Sequence, residues 1–206
     1  MKPKLKLNQI SDLHDARYCA AVGIDLIGFE LEPSNELHVT PKAVGVIMDW
    51  LSGPAAVGNF DTTSPEVIQE MVAIAKLTWV SLPLGYPQGQ AESIQAKLIF
   101  RGPAEPINAE GIAHIINLSE QFADALFELR IDLQDESTWN QLKESQLLTR
   151  VILHFSEPSP IYTLLEEKEQ LPMAFSLGAF VVEPDGALDY EVCDDFLERV
   201  SDLIPA

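Results

Sequence analysis

The sequence is short of basic residues, of cysteine and of the glycine-rich motifs that cradle phosphates. It holds 13 Lys and Arg against 32 Asp and Glu, a net charge of −19 over 206 residues. A field of that sign repels nucleic-acid backbones and anionic lipid, so neither is an expected partner. It also weakly disfavours ligands carrying several phosphate charges. Two cysteines, Cys19 and Cys193, cannot build a disulfide framework or a cysteine-rich zinc site, and are expected to pack inside as small hydrophobes. There is no Gly-x-Gly-x-x-Gly, P-loop, Gly-x-Ser-x-Gly or His-Glu-x-x-His, so neither a cofactor nor a metal is expected. The basic residues 1–6 have no apolar stretch behind them, and no apolar run approaches the roughly 18–20 residues of a membrane-spanning helix. The expectation is a soluble cytoplasmic protein, monomeric or homodimeric.

What is present is an ordinary globular composition, 47% apolar and 22% charged, in which short apolar runs alternate with amphipathic stretches. Strands are expected at residues 5–10, 25–31, 55–60, 79–84, 97–101, 125–131, 150–155 and 173–179. Helices are expected between them and at 190–203, with a short one near 91–94. The first helix has Ser11 as its expected cap and Gly23 as its stop, and Thr40-Pro41 and Ser64-Pro65-Glu66 open the next two. Strict strand-helix alternation implies a parallel sheet with helical crossovers, and eight units at a spacing of roughly 25 residues can close into a (βα)8 barrel. A doubly wound open sheet is the rival, without local support from a dinucleotide fingerprint. No linker or domain break interrupts residues 1–206.

Lys6-Leu7-Asn8-Gln9-Ile10-Ser11 and, after Asp15-Ala16, the run Val22-Gly23-Ile24-Asp25-Leu26-Ile27-Gly28-Phe29 carry a resemblance to the phosphoribosylanthranilate isomerase (TrpF) family. These three segments look like that family's opening K-V-C-G-I-T, E-D-A and A-G-A-D-x-L-G-F. Its P-x-S-P-R-x-V-S-P frame is kept as P-S-N-E-L-H-V-T-P over residues 33–41. Its V-G-V-F-x-N and V-Q-L-H-G look like Val57-Gly58-Asn59-Phe60 and Val80-Ser81-Leu82-Pro83. Near the end, Ser176-Leu177-Gly178, Pro184-Asp185-Gly186 and Leu188-Asp189 look like its S-S-G-V-E, P-G and K-D elements. The resemblance implies the closed (βα)8 TIM barrel as a single compact domain over residues 1–206, and an Amadori rearrangement that opens an aminoaldose and delivers the ketose.

The resemblance also implies an acid and base pair, an aspartate ending strand 6 and the cysteine of K-V-C-G. Asn8 stands at the cysteine position, and a carboxamide cannot act as the base. Matching Asp124-Ala125-Leu126 to D-A-L-L-L-D puts Leu129 at the acid position, whereas a one-residue slip puts Glu128 there. The family's arginine falls at Leu37 and its histidine at Pro83. Its G-G-T-G after strand 6 falls at Asp132-Leu133-Gln134-Asp135, and its A-G-G-L after strand 7 at His154-Phe155-Ser156-Glu157. Of its strand-8 element Ser176 and Gly178 persist.

Period-two alternation puts Lys6 with Asn8, and Gly28 with Glu30, on single strand faces. With Asn59, Arg101, Glu128, Arg130 and His154 these form the expected polar mouth, closed by two or three opposite-sign pairs. Ligand contacts are expected at Lys6, Glu30, Asn59, Arg101, Arg130, His154, Ser176 and Gly178, with Glu32 and Glu36 solvated on the following loop. The favoured expectation is a TrpF-like barrel that has lost the isomerase activity, a pseudoenzyme or a binder of some small ligand, with a phosphorylated sugar disfavoured. One alternative is a working isomerase of tryptophan biosynthesis using Glu128 as acid. The other is a protein-interaction scaffold with Leu31 and Leu37 in its contact patch.

Overall fold

A computed structural model describes residues 2–167, 170–177, 181–182 and 187–204. Its strands are β1 (Lys4–Leu7), β2 (Leu26–Glu30), β3 (Ala55–Asn59), β4 (Trp79–Pro83), β5 (Lys97–Arg101), β6 (Leu126–Leu129), β7 (Val151–Phe155) and β8 (Ala174–Leu177). Each is followed by a helix: α1 (Leu13–Val22), α2 (Pro41–Asp49), α3 (Pro65–Ala75), α4 (Gln88–Ala91), α5 (Ala109–Gln121), α6 (Glu136–Glu144), α7 (Ser159–Glu167) and α8 (Tyr190–Leu203). All strand pairs are parallel, and β8 returns to β1 through Lys4–Ala174 and Lys6–Ser176 neighbours, closing a (βα)8 barrel. Closure leaves no sheet edge to protect. The open doubly wound alternative is excluded.

Local chemistry sets the helix starts. Asp12, rather than Ser11, caps α1: its carboxylate accepts from the N–H groups of His14 and Asp15 at 2.8 and 3.0 Å. Gly23 ends that helix at φ +82°, a conformation that costs glycine nothing. Asn108, Asp135 and Asp189 cap α5, α6 and α8 in the same way as Asp12. The short helix expected near residues 91–94 lies earlier, at α4, because Pro87 already sits at a helical φ of −58° and opens it. Arg150 does not belong to β7. It closes a 3-10 turn (Leu147–Arg150), and its guanidinium donates to the Ser119, Phe122 and Ala125 carbonyls, satisfying the end of α5.

Alternation along each strand divides the interior in two. Phe29, Phe100, Phe127 and Phe175 face the helices and are essentially unexposed, with Cys19 and Cys193 buried in the same outer layer. The opposite faces meet in the lumen, whose floor is Leu26, Val57, Ile99, Leu126, Ile152 and Ala174. Branched side chains from successive strands fill this floor, so the barrel is plugged below and polar only above. Replacing Ile152, wholly buried in this plug, with alanine is expected to cost about 2–5 kcal/mol, read as a lower denaturation midpoint in urea with an unchanged slope.

Candidate functional site

Above the apolar floor the strand ends carry a polar layer, and its centre is an ion pair. Lys6 (0% exposed) donates from Nζ to Oε2 of Glu128 (6% exposed), a contact spanning the lumen from β1 to β6. This places the Glu128 side chain in the lumen. Leu129 points the other way, into the outer core, where it packs against Gly102. Burial alone would raise the Glu128 carboxyl, but the charge and hydrogen bond of Lys6 and a further bond from Ser176 bring it down to about 2. Burial pulls Lys6 below the usual amine value, and Glu128 opposes that pull.

The remaining polar groups close around this pair. Asn8 Nδ2 reaches Glu128 Oε1 at 3.3 Å and Ser176 Oγ at 3.1 Å. Its Oδ1 lies over Gly28, where an added Cβ would come within 2.3 Å. Glycine at residue 28 therefore makes room for the amide. On the β6–β7 side, Arg130 meets His154 Nε2 at 2.7 Å, and His154 Nδ1 meets Ser176 Oγ at 3.3 Å. An arginine can only donate, so Nε2 holds the lone pair and Nδ1 the proton. Burial lowers the His154 pKa, with Arg130 and Lys6 adding to the shift and Glu128 opposing it. The ring is neutral at neutral pH and its lone pair is already engaged.

On the opposite wall Asn59 donates to Glu30 Oε1 at 2.6 Å and Asn35 donates to Oε2 at 3.3 Å. Burial raises the Glu30 carboxyl, with the Asn59 hydrogen bond and Arg101 working against it. Arg101 bonds to the Phe60 carbonyl at 2.9 Å and pairs with Asp61 at 2.6 Å rather than with a lumen carboxylate. Of the two or three lumen ion pairs expected, one forms among the described residues, Lys6–Glu128. The other charges found neutral partners or left for the loop. Asn8, Gln9, Glu30, Asn59, Arg101, Arg130, His154, Leu177 and Val182 enclose a cavity of about 230 Å³. Lys6, Glu128 and Ser176 lie beneath it, and Gly178 lies outside the described residues.

Four side chains correct or extend the sequence reading. Glu32 is not solvated; it is 5% exposed and accepts from the N–H groups of residues 61–63 at 2.7–3.2 Å and from two threonine hydroxyls. Burial opposes ionisation there, yet these donors hold its carboxyl at about 2. It fixes the loop that carries Asp61, the partner of Arg101. Leu31 cannot serve a contact patch, being wholly buried, whereas Leu37 is 45% exposed. Gln9, which the sequence reading left out, lines the cavity at φ +64°, a left-handed conformation rare outside glycine. Ser81, also passed over, is wholly buried beside Asn59 on β4.

A closed (βα)8 barrel with its polar groups gathered at the C-terminal strand ends has the architecture in which barrel enzymes place their active sites. Among solved structures the chain is similar to phosphoribosylanthranilate isomerase from Thermus thermophilus, with a TM-score of 0.79 and 22% identity, covering 98% of this chain and 100% of that one. It is similar to the enzyme from Thermotoga maritima at a TM-score of 0.78 and 18% identity, covering 97% and 99%. A third such isomerase, in complex with reduced 1-(o-carboxyphenylamino)-1-deoxyribulose 5-phosphate, matches at 0.77 and 20% identity, covering 97% and 99%. At these identities the likeness establishes a TrpF-like fold. No family model and no curated sequence matches the chain. No helix among the described residues is long and apolar enough to cross a membrane.

Two measurements probe this geometry. Lys6→Met strands a buried carboxylate and is expected to cost about 3–5 kcal/mol in chemical denaturation, most of it recovered in the Lys6→Met/Glu128→Leu double variant. Glu32 and Glu128 both hold folded pKa values of about 2, below the ordinary 4.5. Their contribution is complete above pH 4.5 and is lost as pH falls toward 2. Glu32→Gln should therefore flatten the acid limb of the stability curve by about 3 kcal/mol between those limits.

Proposed function

We propose that this chain is a TrpF-like barrel whose mouth binds a small polar molecule without performing the Amadori isomerisation. The observation that carries this reading is the buried Lys6–Glu128 pair. A general acid must hold a proton and then give it up near neutral pH. Glu128, the carboxylate nearest the position where the resemblance puts the acid, is kept ionised by Lys6, and its oxygens also accept from Asn8 and Ser176. Asn8, at the position of the base, has no titratable group, and the lone pair of His154 is engaged by Arg130.

The anion-binding side supports the same conclusion. Where the resemblance places glycine-rich loops, Asp132 accepts from the Gln134 N–H and Asp135 caps α6. Glu157 is exposed after β7. A phosphate approaching these loops meets carboxylates instead of open N–H groups. The alternative of a working isomerase requires Glu128 to be protonated at neutral pH, against its pairing. The full chain, incubated with phosphoribosylanthranilate, is expected to give no ketose product above the uncatalysed background and no growth of a tryptophan auxotroph lacking its isomerase. Turnover that disappears in Glu128→Gln would overturn the reading.

A further inference from the structure

We propose that the ligand of the mouth is a small zwitterion, an amino-acid-sized molecule bearing one carboxylate and one ammonium. The inference rests on the reading of the mouth as a small-molecule site and adds the chemical class of the ligand. It starts from topology. In a closed eight-stranded barrel with strands in sequential order, β2 and β6 lie diametrically opposite. Glu30 ends β2 and Arg130 directly follows β6, and both line the cavity. The mouth therefore has a carboxyl group on one wall and a guanidinium on the other.

Neither group forms an ion pair with another described residue. Glu30 is held by two amides, Asn59 and Asn35, which orient it without cancelling its charge. Arg130 uses one nitrogen on His154, a neutral ring, and its other N–H donors have no partner among the described residues. Arg101, the second guanidinium of the cavity, is compensated by Asp61, and Lys6 by Glu128 beneath. What remains is one carboxyl and one guanidinium without an ion-pair partner, a pattern that favours a dipolar ligand, whose ammonium would hold Glu30 ionised, over an anion or a cation.

Hydrogen-bonding capacity divides along the same axis. Asn59 is 2% exposed, and its Oδ1 is buried without a partner while its Nδ2 is spent on Glu30. Ser81 Oγ, its register neighbour on β4, is likewise buried and unpartnered. Of these two, Asn59 lines the cavity, so its unpartnered carbonyl oxygen and the Glu30 carboxylate are the acceptors that an ammonium with three donors would meet on this wall. Free guanidinium donors collect at Arg130, where a carboxylate would accept. The cavity of about 230 Å³ is smaller than the roughly 300–1,000 Å³ typical of drug-sized ligands, which limits the body between the two charges to a few carbons.

The test is calorimetric titration of the full chain with alanine, β-alanine and γ-aminobutyrate, against propionate and propylamine as singly charged analogues and ribose 5-phosphate as a phosphorylated control. At least one zwitterion is expected to bind saturably, and each singly charged analogue about tenfold or more weaker. Arg130→Met and Glu30→Gln should each weaken the zwitterion by a similar factor, with folding checked by circular dichroism, and Arg130→Lys should retain part of the affinity. Equal binding of a singly charged analogue, preference for ribose 5-phosphate, or no saturable zwitterion binding at millimolar concentration overturns the inference. Those outcomes leave the non-isomerase reading standing, since that reading falls on turnover of phosphoribosylanthranilate and not on this panel.

Discussion

The buried contact between Lys6 and Glu128 organises everything above the barrel floor. Taking a lysine and a glutamate out of water costs several kcal/mol per ion, and their attraction offsets this only when the remaining donors and acceptors are also satisfied. The surrounding residues meet that condition at Glu128 itself, although Asn8 Oδ1 is buried without a partner. Asn8 and Ser176 donate to Glu128, and Ser176 in turn receives His154, which receives Arg130. A chain of polar contacts runs from β1 through β8 and β7 to the end of β6, each member oriented by the next. Removing either Lys6 or Glu128 from this network leaves the other as an unpaired buried charge.

The same constraint limits what chemistry the centre can support. Proton transfer needs groups whose protonated and ionised forms are close in energy near working pH. A carboxylate held by a buried ammonium is far from that balance, and an imidazole accepting from a guanidinium has no free base nitrogen. The network orients Arg130 through His154, while Glu30 is held separately by the Asn59 and Asn35 amides. Glu30 and Arg130 sit on opposite walls because strand order and side-chain alternation put them there. Their separation is a property of the barrel and not of any loop.

The fold was largely legible in the sequence because its signals are local and repeated. Eight apolar runs, proline-initiated helices and acidic caps each leave a mark within a few residues, and the resemblance over the first third supplied closure. Errors fell where two local signals competed. Ser11 and Asp12 are both good caps, and the carboxylate won; Arg150 was read with its apolar neighbours but turned away to satisfy three carbonyls of and after α5. The polar residues of the mouth were legible as a set from period-two alternation. Their pairing was not, because Lys6 and Glu128 are 122 positions apart and only three-dimensional closure decides which partner each one meets. Glu32 shows the limit most clearly. Nothing local distinguishes it from Glu36, yet one is buried under the N–H groups of a loop about 30 residues away and the other is exposed.

The scarcity of basic residues looks different once the interior is known. Among the described residues only Asp15, Glu32 and Glu128 are buried carboxylates, so most of the excess negative charge lies toward solvent. An exterior of that kind slows an anionic substrate and concentrates a cationic one before either reaches the mouth. A molecule with no net charge is indifferent to the exterior field and responds to the local one, where Glu30 and Arg130 face each other across the lumen. The acidic surface and the dipolar mouth then have separate roles. On the proposed reading, the surface field works against multiply phosphorylated ligands, while the opposed Glu30 and Arg130 orient a ligand without net charge.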